Sequence, residues 1–246
     1  MARYQLLIEY VGTNFRGWQI QKKGSTIQGL IQEKLTKLLK EKIILNGSGR
    51  TDTGVHAIAQ SAHFDCKNKI IDLIKFLKSI NHFLNEDGIA ITKIKKRSSK
   101  FHSRFSAKQR IYKYIIFNQL SIPVIEKKRG WHVRKQLDLD LIKKGAKKLI
   151  GTHDYSVFRA SSCHAKSPIK TINSIKIKSL KNKIEIEFNS QSFLQQQVRS
   201  MVGCLKYLGE KKWDLKMFEK IFKSKKRILC APPAPPEGLF LVRVIY

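Results

Sequence analysis

Acidic residues are scarce in this chain of 246 residues: 18 Asp and Glu stand against 49 Lys and Arg, a formal excess of 31 positive charges. Such an excess repels itself unless a polyanion neutralises it, and nucleic acid is the commonest polyanion in a cell. An ordinary enzyme of small metabolites is therefore a poor fit. Cysteine is scarce too: Cys66, Cys163, Cys204 and Cys230 lie far apart, form no CxxC pair and have no His pair at finger spacing. That argues against a disulfide framework and against a zinc site. No apolar run approaches the roughly eighteen residues of a membrane span, and no basic head precedes an apolar stretch at the start. Neither a membrane span nor a signal peptide is expected, and the protein is expected in the cytoplasm. Four of the 6 prolines sit in APPAPPEG at 231–238, which reads as a turn-rich loop rather than a PxxP ligand.

What is present suffices for a core, since 42% of the residues are hydrophobic and 9% aromatic. A disordered polycation is thus excluded. The length allows one large α+β domain or two smaller fused ones.

Two stretches repeat one order of elements. The first opens with the apolar strand RYQLLIEY at 3–10. A helix follows with Ile27, Leu30, Ile31, Leu35, Leu38 and Leu39 on one face, and Ser25 and Gln28 at capping-box spacing before it. Strands are expected near 43–46 and 57–65, then a helix carrying Ile71, Ile74, Leu77 and Ile80, then a strand near 89–95. This is βαββαβ. The second stretch has IYKYIIF at 111–117, a helix at 138–150 stopped by Gly151, and strands at 171–178 and 183–189. A helix at 192–208, a shorter helix and the strand LFLVRVIY complete it. The expected halves are residues 1–107 and 108–246, two related split-βαβ modules of antiparallel sheet with helices on one face.

The densest unusual segment is LNGSGRTDTGVHA, Leu45–Ala57, where three glycines surround Arg50 and Asp52. No GK[ST] ends it, so it is not a phosphate loop, and Asp52 stands where a dinucleotide fingerprint needs its third glycine. The DTG of Asp52–Gly54 would suit an aspartic protease only with a second carboxylate sharing a proton, which Arg50 would oppose. Two readings remain: a hairpin loop with a structural Asp–Arg pair, or a carboxylate held near a guanidinium as a ready nucleophile.

With this loop the chain resembles the A-type tRNA pseudouridine synthase family, and the likeness runs nearly end to end. YVGTNFRGWQIQ (Tyr10–Gln21) and STIQGLIQEKL are similar to the family's YDGTxFxGWQ and TVQGxLExAL segments. SGRTDTGVHA is similar to its catalytic loop. FHSRFSAKQRIYKYIIFN (Phe101–Asn118), GTHDYSVFR (Gly151–Arg159), SFLQQQVRSMVG (Ser192–Gly203) and PPEGLFLVRVIY follow in order. Val11 departs from the family's Asp, and Gln195 and Gln196 depart from its usual residues before Val-Arg. The resemblance implies a pseudouridine synthase fold: an α+β protein whose two halves form a mixed, mostly antiparallel sheet with helices packed on it and a central active-site cleft. It implies isomerisation of uridine to pseudouridine in the anticodon stem-loop, tRNA positions 38–40, by a homodimer with tRNA across both subunits, with no cofactor and no metal. Asp52 matches the nucleophile, and Arg50 the loop arginine that pairs with phosphate or with the acid. Tyr112 matches the aromatic that stacks on the target uracil, and Arg199 the arginine that salt-bridges the aspartate. Read without the family, Tyr112 is one of two tyrosines on a strand face and Arg199 interrupts an amphipathic helix. The rival to an enzyme is a non-catalytic RNA-binding protein or RNA chaperone of the same fold.

Overall fold

Alternating apolar residues make the first strand two-faced, and in the computed structural model, which describes residues 1–246, it runs over Ala2–Tyr10 (β1). Tyr4, Leu6, Ile8 and Tyr10 point to the core and are 0–2% exposed. The chain divides into two compact units, Met1–Lys108 with Phe240–Tyr246, and Gln109–Leu239.

In the first unit β1 lies between two antiparallel neighbours, β3 (His56–Cys66) and β4 (Ile89–Arg97); Leu6 is opposite Ala62 on one side and Ile94 on the other. β10 (Leu239–Ile245) runs parallel to β3, with Phe240 opposite His56. Helix α1 (Ile27–Leu39) buries Ile27, Ile31 and Leu35 at four-residue spacing, and α2 (Leu73–Leu84) buries Ile80 and Leu84.

Three local expectations are corrected here. The α1 N-cap is Thr26, whose hydroxyl accepts from Gly29 N–H, so the capping box of Ser25 and Gln28 does not form. Gln28 instead donates to Leu45 O at 2.7 Å and accepts from Ile20 N–H. The strand expected near 43–46 shrinks to β2 (Asn46–Gly47), because the N–H groups of Ile43 and Leu45 donate to Thr36 and Gln32 side chains of α1. Ile71 is 96% exposed, because the Asp72 carboxylate caps Ile74 and Lys75 and starts α2 after it.

The second unit orders its strands β5 (Gln109–Asn118), β9 (Lys183–Ser190), β8 (Ile169–Leu180) and β7 (Gly151–Asp154), all antiparallel neighbours; short β6 (Trp131–Val133) adds to β5 in parallel. Ile184, Ile186 and Phe188 of β9 face inward at 0–2% exposure. Helices α3 (Leu139–Lys148) and α5 (Leu215–Ser224) open on the carboxylate caps Asp138 and Asp214. Helix α4 (Gln197–Gly209) is buried along most of its length and packs on β5. It starts at Gln197 rather than 192 because Gln196 is left-handed, at φ 61°, and the Gln197 side chain accepts from Leu194 N–H at 2.8 Å. Each unit is thus α+β, with mixed, mostly antiparallel strands and helices packed on them. No helix is long and apolar enough to cross a membrane.

Candidate active site

The glycine-rich loop of the first unit leaves its backbone polar groups in need of partners, because between β2 and β3 none of its residues joins a strand ladder. Polar side chains and a neighbouring segment supply them. Ser48 N–H donates to Ser61 O at 2.7 Å. The Ser48 hydroxyl donates to Gln60 Oε1 at 2.7 Å, and Gln60 Nε2 returns to Gly49 O at 2.9 Å. On the other side Trp18 N–H donates to Thr51 O at 3.1 Å, while the hydroxyls of Tyr10 and Thr51 are hydrogen-bonded at 2.7 Å. Gly17 permits that approach: its φ is +86°, and a Cβ there would stand 2.5 Å from Thr51 O. Val55 N–H donates to Asp52 O at 3.2 Å, closing a turn through Gly54 at φ 80°.

Thr51 and Val55 are consequently buried while Asp52 between them is half-buried and Arg50 and Thr53 are exposed. The loop presents a carboxylate from a backbone held at both ends. Arg50 shares the loop with Asp52 and is exposed two residues before it. His56, at the start of β3, is buried at 1% exposure; its Nδ1 accepts from Gly12 N–H at 3.1 Å and its ring stacks on Phe240 at 4.8 Å. It serves packing.

Tyr112 and Arg199 belong to the second unit. Tyr112 lies in β5 opposite Phe188, is 7% exposed, and meets the Phe193 ring edge-on at 5.2 Å and 87°. Arg199, in the first turn of α4, is half-buried; its Nε donates to Ala234 O at 2.7 Å, and Ala234 N–H donates to Arg199 O at 2.9 Å. Tyr114, the other tyrosine on that strand face, is fully buried and donates to Pro235 O at 2.8 Å. Burial raises its phenol well above the ordinary range, helped by Glu237, so it remains a neutral donor.

Sequence reasoning missed the supporting cast of Tyr10, Trp18, Gln60 and Ala234. Tyr10 and Trp18 sit in the YVGTNFRGWQ block, so a signal existed; Gln60 reads as an ordinary polar residue of a strand. No group of three or more His, Cys, Asp or Glu comes together to hold a metal ion.

Comparison with known proteins places this architecture. The sequence model of a family described as tRNA pseudouridine synthase matches residues 6–106 and 146–246. A Pelagibacter ubique protein named tRNA pseudouridine synthase A is 72% identical over 246 residues, covering 100% of both chains. Its namesake in Parvibaculum lavamentivorans is 38% identical over 247 residues, again covering 100% of both, and that of Paramagnetospirillum magneticum is 39% identical, covering 100% of this chain and 96% of its own. The glycine-rich block and those around it thus lie in a chain that matches the family along most of its length, and the protein belongs to the tRNA pseudouridine synthase family, isomerases that turn uridine into pseudouridine.

Proposed function

We propose that this enzyme acts on uridines of the tRNA anticodon stem-loop, positions 38–40, with Asp52 as its nucleophile, working as a cytoplasmic homodimer with tRNA lying across both subunits. The observation that carries the reading is the clamped loop: Asp52 is half-buried between two buried residues whose backbone is tied down on both sides. A nucleophile needs that restraint, because reactive geometry is lost with small displacements.

The reaction breaks the bond from ribose C1′ to uracil N1, turns the base and rejoins it through C5, with the C5 hydrogen passing to water. Nothing is oxidised and no group is gained, so the work falls to an acid, a counter-charge and a base platform. The target uridine must leave its stack, at a cost of a few kcal/mol. Tyr112 offsets part of that by stacking on the uracil, its ring plane held by Phe193. Arg199, its guanidinium oriented by Ala234, supplies the positive partner of the Asp52 carboxylate. Arg50, exposed beside Asp52, takes a phosphate of the RNA backbone. The 31 excess positive charges draw the tRNA by counterion release.

The test is release of tritium from uracil C5 of unmodified tRNA. Wild-type protein releases label catalytically, and Asp52→Asn, nearly equal in volume, loses turnover by on the order of a thousandfold or more while keeping its circular dichroism and tRNA binding. Near-wild-type turnover by the variant would remove Asp52 from the chemistry. Stoichiometric binding with no release by wild type would return the chain to a non-catalytic RNA-binding role.

A further inference from the structure

Two of the four cysteines, 26 residues apart in sequence, meet in the second unit. Cys204 of α4 is 1% exposed, Cys230 is half-buried at the end of a short 3-10 turn, and their sulfurs are 3.4 Å apart as a thiol–thiol contact. The sequence alone, with no CxxC and distant cysteines, pointed away from any such pair. A disulfide needs about 2.05 Å between sulfurs, so Cys230 must be drawn toward Cys204 for the bond to form.

The surroundings differ for the two sulfurs. Arg227, which donates to Ser200 Oγ at 2.9 Å, lies close to Cys230. The hydrogen bond from Cys204, and then Arg227, hold the Cys230 thiol below its ordinary range although burial opposes them; the same hydrogen bond and burial push Cys204 up. One sulfur is therefore the accessible, thiolate-forming partner and the other a buried thiol in contact with it, the arrangement in which oxidation of the first is resolved by the second.

We propose that Cys204 and Cys230 form a reversible disulfide site, oxidised by hydroperoxide and reduced by thiols. The Cys230 thiolate attacks a peroxide oxygen; the O–O bond breaks, and hydroxide leaves and is protonated to water, giving a sulfenic acid. Cys204 sulfur then attacks the Cys230 sulfur; the S–O bond breaks and a second water leaves with the Cys204 proton. The two thiols lose two electrons and the peroxide gains them. A reducing cytoplasm keeps the pair as thiols at rest, so the bond is transient.

The cross-link falls where the segment after Cys230 is seated on α4. Gly203 lies so close to Pro232 that a Cβ would stand 2.1 Å from its carbonyl oxygen, and Ala234 exchanges two hydrogen bonds with Arg199. Drawing Cys230 toward Cys204 moves this segment and the carbonyl that orients Arg199. That consequence rests on the role of Arg199 given above; formation of the bond does not.

The experiment treats the reduced full-length protein with stoichiometric hydrogen peroxide and maps peptides by mass spectrometry after alkylation. The expected product is a Cys204–Cys230 linked peptide, lighter by two hydrogens and restored by dithiothreitol, with Cys66 and Cys163 alkylated. Cys204→Ala then accumulates a sulfenic acid at Cys230 that a 1,3-diketone traps, and Cys230→Ser leaves Cys204 unoxidised. Absence of the linked peptide, or equal oxidation of all four cysteines, overturns the proposal; this reading of wild-type protein holds even if a variant fails to fold. Fully oxidised protein is expected to lose turnover severalfold with tRNA binding unchanged, and unaltered turnover overturns the coupling to Arg199.

Discussion

The two units hold the side chains proposed for the site by opposite means. In the first, Asp52 rides on a loop whose order comes from individual polar contacts, Gln60 to Gly49 and Trp18 to Thr51 among them. In the second, Tyr112 and Arg199 stand on a strand and a helix that are buried along most of their length. A loop clamped at points allows tight turns around a half-buried acid but concentrates its dependence on a few residues. Regular elements hold each side chain by packing along the element rather than by one contact.

That contrast is broken most sharply at Gly17. Gly17→Ala places a Cβ 2.5 Å from Thr51 O in a backbone of φ +86°. The strain, about 1–3 kcal/mol or more, is relieved by moving the stretch that carries Asp52. Turnover is expected to fall more than about tenfold with tRNA binding little changed. Tritium release beside filter binding checks it, and near-wild-type turnover would mean that the clamp does not position the acid. A change in the second unit should act through the side chain alone. Tyr112→Leu removes a stacking platform worth about 1–3 kcal/mol, so kcat/KM is expected to drop roughly 10- to 100-fold, with Tyr112→Phe restoring it. Failure of Phe to restore would transfer the role from the ring to the hydroxyl.

Acid should also separate the units. His63 in β3 is pushed down to about 4, chiefly by burial, with His102 and Arg3 adding to it. Its Nδ1 accepts from Ser103 N–H at 3.2 Å, a bond that protonation of that nitrogen destroys. A folded-state value below the unfolded 6.5 means that stability is fully present above about pH 6.5 and is lost as the pH falls toward 4. In the second unit Asp138, Asp154, Glu185 and Glu210 are all lowered, so their contributions are fully present above the ordinary carboxylate range and are lost only as the pH falls through and below it. Hydrogen exchange at pH 5 is expected to show the first unit opening before the second, and His63→Gln to flatten the pH dependence of Tm between 6.5 and 4. Equal opening of both units would contradict the assignment. The smallest effect belongs to Lys95 and Lys96, exposed on β4. Replacing both with Ala should reduce the log–log salt slope of tRNA binding by about one for each phosphate that these lysines neutralise. An unchanged slope would leave them as charges guarding a sheet edge.

Periodic patterning made the long elements legible: β1, α1 and β9 bury residues on the faces their spacing marks. What the pattern hid was side-chain competition for backbone groups. Ile43 and Leu45 are as apolar as any strand residue, yet Thr36 and Gln32 take their N–H groups and prevent a ladder. Short β6 and β7 carry too few residues to show a period. At the site, Asp52 was visible through its glycines, and Tyr112 and Arg199 only through family likeness, because a tyrosine in a strand and an arginine in a helix are ordinary alone. Gln60 left no mark, since its role exists only once β3 lies beside the loop.

The last strand has a consequence in time. Residues 240–246 fold with the first unit: Phe240 stacks on His56, Lys108 N–H donates to Ile245 O at 2.7 Å, and Tyr246 donates to Ser61 Oγ and Ser103 O. During synthesis residues 1–108 leave the ribosome without these partners, whereas residues 109–239 emerge as an uninterrupted unit before the strand that finishes the earlier one. The unit begun first is finished last, so the loop bearing Asp52 gains its full support only when translation has reached Tyr246.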